Sequence, residues 1–249
     1  MARDSARRPM GGNPTLSASR FEGLTGEGVM TIAGTAWRAF ILVALVMASA
    51  GYTWWSVATG VAQNPMTLLW VGLIGGLVLA MVTIFRPHLA PWTSPLYAVV
   101  EGLALGAISV LMDQLHPGLP TQAVLITFGV FLTMLALYTF RIITVTARFR
   151  SIIISAMVGV LVFYVLTMVL SFLGVDMTLV RGKGLPSVGI SLVIAGIASF
   201  SLLLDFHAIE EGARLKAPRY MSWYGAFGLV VGLVWVYIEI LNLLRKLRD

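Results

Sequence analysis

Seven apolar stretches, each about as long as a bilayer-crossing helix, follow one another from residue 36 to residue 244. A hydrocarbon core of about 30 Å takes roughly 20 apolar residues in a helix. The runs lie near 36–58, 66–85, 95–112, 121–140, 151–173, 187–209 and 222–244. Turn-forming or charged breaks part them: Gln63-Asn64-Pro65, Arg86-Pro87-His88, His116-Pro117-Gly118, the Arg141 to Arg150 stretch, Arg181 to Gly184, and Glu210 to Arg219. In lipid the backbone must satisfy its own hydrogen bonds, and these runs lack the polar and apolar alternation of a barrel strand, so they read as helices. The expected fold is an all-α integral membrane protein with a seven-helix domain over 36–245, preceded by a disordered cytoplasmic tail over 1–35.

Composition removes the soluble alternatives. Hydrophobic residues make up 58% of the chain and charged residues 11%, with a mean hydropathy of +0.90, where a soluble domain carries about 25% charged residues. The net charge of +6 would fit nucleic acid in a polar protein. Here it fits basic residues at the membrane face, since no basic stripe with interleaved aromatics is present. No nucleic-acid partner is expected. The chain has no cysteine and three histidines, all at span ends or in loops, which leaves no thiolate chemistry and disfavours a histidine metal site. No lysine lies in a span, and GxSG, HExxH and a glycine-rich phosphate loop are missing. The expectation is therefore no enzyme and no cofactor.

Lysine and arginine counts set the orientation. With the amino terminus inside, the tail, Arg38, Arg86, the Arg141 to Arg150 stretch and the Arg214 to Arg219 stretch place twelve basic residues on the cytoplasmic side. Arg181, Lys183, Arg245, Lys246 and Arg248 place five outside. A re-entrant last segment, returning the carboxyl end inside, would sharpen that asymmetry and stays open. The first apolar run starts too late and runs too long for a cleaved signal peptide. Small residues four apart, Gly72 with Gly76, Gly102 with Gly106 and Gly228 with Gly232, predict close helix packing.

The informative residues are acids inside the apolar runs, because an ionisable group at mid-bilayer costs about 2.5–3.5 kcal/mol on insertion scales. Glu101 lies in the third run, Asp205 near the end of the sixth and Glu239 in the seventh. Counting 1.5 Å per residue puts Glu101 roughly 9 Å and Asp205 roughly 6 Å from the cytoplasmic face. They share a depth that Arg86 reaches if its side chain extends inward. Two carboxylates close together do not both ionise cheaply, so such a cluster would trade protons against a hard cation such as calcium. The alternative is that each acid is protonated and hydrogen-bonded to a neighbouring helix for packing.

Three stretches carry a resemblance: PLYAVVEGLALGAIS in the third run, LLLDFHAIEEG closing the sixth and VYIEILNLLRKL closing the seventh. Together they resemble the Bax inhibitor-1-like, or transmembrane Bax inhibitor motif, family, and GNPTLSASRFEGLTGEGVMTIAGTAWRA is similar to a bacterial subgroup of it. The resemblance covers roughly 36–245. It implies a last helix central among the other six, a bacterial inner-membrane location, and a cytoplasm-facing di-acid site governing a pH-sensitive calcium leak. Asp205 matches the sixth-helix aspartate, Glu239 stands where a seventh-helix aspartate is expected, Glu101 matches the third-helix glutamate, and Arg86 matches a bridging basic residue. On this reading Asp205 and Glu239 are candidate transient calcium ligands. The Asp205 to Glu239 separation of 34 residues is longer than the family's usual spacing, and helical counting places Glu239 roughly 26 Å from the cytoplasmic face. Their pairing would need Glu210 to Tyr220 to form a protruding helical hairpin; otherwise Glu101 with Asp205 is the cluster. Some bacterial relatives are regarded as modulators of a membrane-bound quality-control protease, which supplies a second, non-transporting reading.

Overall fold

Each apolar run becomes a helix whose ends carry their own stop signals. The computed structural model describes residues 28–62, 64–175, 182 and 184–248. Its helices are α1 (Ile32–Ala58), α2 (Pro65–Phe85), α3 (Ala90–Leu115), α4 (Leu119–Thr139), α5 (Ala147–Phe172), α6 (Leu185–Arg214) and α7 (Met221–Arg248). All seven are long and apolar enough to cross a membrane. Thr31, Asn64 and Thr146 cap α1, α2 and α5 by accepting from the N–H groups of Gly34, Met66 and Phe149, satisfying donors that a helix start leaves open. Pro65, as first residue of α2, has no N–H to satisfy. At the start of α4, Gly118 takes φ 77°, a left-handed conformation that glycine adopts without strain.

Several boundaries differ from those expected. The third helix begins at Ala90, five residues before the expected start, because Pro91 falls in its first turn, where proline is tolerated. The sixth continues through Glu210 to Arg214, so the charged break is largely helix and the reversal occupies residues 215–220, with Lys216 at φ 53°. Of the expected tail, residues 1–27 lie outside the described residues, as do Arg181 and Lys183. From Gly28 onward the chain is tied down. Val29 forms a β-bridge with Pro218, the Met30 N–H donates to Ala217 O at 2.7 Å, and Met30 is 2% exposed.

The last helix is the centre of the bundle. It packs on α1, α3, α4 and α6, and Tyr164 of α5 reaches it by a hydrogen bond, while α2 packs chiefly on α3. Lipid tails are as apolar as leucine, so association rests on close packing and polar contacts instead of hydrophobic burial. The glycine pairs supply that packing. A Cβ on Gly102 would stand 2.5 Å from Val46 O, one on Gly106 would stand 2.7 Å from Ala50 O, and one on Gly72 would stand 2.6 Å from the Ala104 nitrogen. These contacts lay α1 and α3 parallel and α2 antiparallel to both. Ser49 Oγ donates across the same interface to Val99 O at 2.6 Å.

The carboxyl end lies on the face opposite the Met30 contact. Lys246 Nζ donates to Ser191 Oγ at 2.8 Å, at the start of α6, and Arg248 donates to Pro117 O and Gln122 Oε1 between α3 and α4. The final helix therefore crosses fully and the re-entrant alternative is not adopted. We call the face bearing Met30 and Ala217 the near face and the opposite one the far face.

Candidate functional site

Two of the three intramembrane acids sit in notches left by a missing side chain. Asp205 on α6 is 7% exposed, and its Oδ2 lies over Gly232 of α7, where an added Cβ would stand 2.8 Å away. Among the described residues no hydrogen bond reaches its carboxyl group. Glu101 on α3 is half-buried, with Oε2 over Gly76 of α2. Its carboxyl group likewise receives no hydrogen bond among the described residues. A glycine opposite an acid is a plain steric requirement here: at either position a methyl group would displace the carboxylate.

The depth match between Glu101 and Asp205 follows from two contacts that register α3 against α7. The Tyr97 and Phe227 rings meet edge-on with centroids 4.9 Å apart, and Ser109 Oγ lies 2.7 Å from the Tyr237 hydroxyl. Glu101, four residues beyond Tyr97, thus lies level with about residue 231 of α7. Asp205 faces residue 232. The acids are at one level on different sides of the central helix, Asp205 turned to α7 and Glu101 to α2.

Glu239 stands apart. It lies seven residues beyond Gly232, roughly 10 Å nearer the far face. Its Oε1 accepts from the Tyr164 hydroxyl at 2.6 Å and from Trp235 Nε1 at 3.0 Å, and the residue is 3% exposed. The expected pair of Asp205 with Glu239, and a cation held between them, is therefore not formed. The reason lies in the short reversal over residues 215–220. An antiparallel hairpin centred there sets Asp205 against about residue 230, and no protruding extension slides Glu239 back to it. Arg86 also falls outside the cluster. It is exposed just past α2, ten residues and roughly 15 Å along the helix axis from Gly76 and the Glu101 carboxylate. Among the described residues, no group of three or more His, Cys, Asp or Glu is arranged to hold a metal ion.

A second polar cluster escapes sequence reasoning. Glu210, near the near-face end of α6, accepts from the Tyr138 hydroxyl of α4 and from Arg141 Nη2 at 2.5 Å, and His207 Nδ1 lies 3.5 Å from the same tyrosine hydroxyl. It ties α4 to α6. Reading Glu210 as loop hid it; placed on a helix with His207, the i and i+3 spacing puts both on one face. Trp235 was legible in the same way, four residues before Glu239. Tyr164, in another helix, was not.

These features accord with what sequence comparison finds. No curated protein and no solved structure shows detectable similarity to the chain. The profile of a family described as Bax inhibitor 1 like, however, matches residues 6–249, taking in every helix and all three acids. A seven-helix membrane bundle with acids inside its spans at Glu101, Asp205 and Glu239, the chain belongs to the Bax inhibitor 1 like family.

Proposed function

We propose that this membrane protein is a pH-sensitive cation leak, with calcium as the permeant ion and Asp205 as the protonation gate. The observation that carries the reading is the carboxyl group of Asp205, enclosed at mid-bundle with no hydrogen bond from any described residue. A carboxylate withdrawn from water needs a proton, a cation or a hydrogen-bond donor as partner. Glu239 has donors on its neighbours and fits a packing role; Asp205 does not. With a proton bound, Asp205 is neutral and α6 seats against Gly232. Without one, the charge favours separation of α6 from α7 and entry of water or a cation. Glu101, level with it on the other side of α3 and α7, supplies a second acidic station on the same membrane plane.

The test is calcium flux into liposomes holding the purified protein, measured from about pH 6 to pH 8. Asp205→Asn keeps the size and removes the titrating group, so flux should continue with its pH dependence flattened. A wild-type pH response in Asp205→Asn removes Asp205 as the gate. Absence of flux from the wild-type protein at every pH leaves the non-transporting role, modulation of a membrane-bound protease, as the reading to pursue.

A further inference from the structure

Helices α1 and α4 both lean on α3 and α7 and leave a lateral cleft between them. It has a volume of about 370 Å³, within the range of small-molecule sites, about 300–1,000 Å³. Leu105, Val230 and Val234 form its floor, and its lips at Met47 and Leu125 are 47% and 68% exposed. Both lips lie within membrane-crossing helices, so the cleft opens sideways to hydrocarbon.

The polar groups of its wall are mostly turned to other partners. Ser109 Oγ donates to Leu105 O at 2.5 Å and pairs with the Tyr237 hydroxyl, and Thr127 Oγ1 donates to Ala123 O at 2.7 Å. What the cleft offers a guest is apolar surface. Its far end is different. Arg248 lies eighteen residues beyond Val230, five whole helical turns, and hence on the same stripe of α7. Its hydrogen bonds to Pro117 O (3.0 Å) and Gln122 Oε1 (2.9 Å) hold the guanidinium beside Pro120 and Thr121, which close the cleft at that end. Both acceptors are neutral. Asp113, on the neighbouring α3 end, is turned to the Gly118 N–H at 2.8 Å. A guanidinium carries five N–H donors, so Arg248 keeps donors and an uncompensated charge among the described residues.

From this combination we propose that the cleft is a phospholipid site: one acyl chain of a far-leaflet lipid lies between α1 and α4, and Arg248 holds its phosphate. A planar fork of donors beside an apolar trough matches a phosphodiester with its attached chain, and the spacing of the two parts sets which leaflet the lipid comes from.

The experiment is native mass spectrometry of the full-length protein in detergent, titrated with palmitoyl-oleoyl phosphatidylglycerol. Wild type should retain one lipid. Gly51→Leu puts a side chain into the cleft where a Cβ meets no atom within 4 Å, so it blocks the trough without straining the fold. Arg248→Gln removes the charged fork. Each should weaken lipid retention about tenfold. Leu161→Ala, on the lipid face of α5 and 62% exposed, should leave it unchanged. Undiminished retention in either cleft variant, or an equal loss in Leu161→Ala, overturns the assignment.

Discussion

At the scale of single residues, the acids of this bundle depend on what their neighbours lack. Asp205 and Glu101 each occupy the space of one absent Cβ, at Gly232 and Gly76. Gly232→Ala should therefore act on the acid as well as on packing. Its methyl carbon would lie 2.8 Å from Asp205 Oδ2 and 3.2 Å from Leu202 Cδ2, and since Leu202 is fully buried neither neighbour yields freely. The expected result is a lower melting temperature in detergent, with liposome calcium flux whose pH response shifts together with that of Asp205→Asn. A normal melting curve and normal pH response would show that the notch is dispensable. Glu239 predicts the opposite kind of outcome. Tyr164→Phe removes one of its two donors, and hydrogen bonds between membrane helices average about 0.6 kcal/mol with a maximum near 1.7; stability in a denaturant titration should fall by an amount in that range while the flux profile keeps its pH midpoint. The acids themselves were legible as charges where apolar residues belong. Their partners were not, because Tyr164 lies 75 residues from Glu239 and no periodicity within one helix reports which face of another helix it meets.

Among the elements, the contacts between α1, α2 and α3 show which glycines are structural. Gly102 faces the Val46 carbonyl, whereas a Cβ on Gly129 of α4 would meet nothing within 4 Å. Gly102→Leu should separate α1 from α3 and lower the melting temperature markedly. Gly129→Ala should hold it level or raise it, by up to the helix-propensity difference of about 1 kcal/mol. A pair of melting curves settles the contrast, and equal losses in both variants would contradict the packing described. Helix number and type were readable from length and apolarity alone. Helix ends were less so, since hydropathy marks where lipid ends and helices continue past it: α6 carries its helical hydrogen bonds through Glu210 to Arg214, and α3 starts with prolines that a hydropathy window discounts.

For the whole molecule, seven crossings put Met30 and Arg248 on opposite faces. Reporter fusions at Asn64 and at the carboxyl terminus should therefore agree with one another and differ from a fusion at Arg148. The excess of lysine and arginine on the near face makes Arg148 the expected cytoplasmic position. The central position of α7 has a consequence for the order of manufacture. The helix on which α1, α3, α4 and α6 all pack is made after every one of them. Until it arrives, Leu202 and Asp205, buried against Gly232 in the finished protein, have no α7 surface to cover them. The bundle therefore cannot close until α7 has been made and Lys246 and Arg248 reach Ser191, Pro117 and Gln122. Lys246 and Arg248 act as a latch: a chain cut back to residue 245 would keep all seven helices but lose the fastening at the far face.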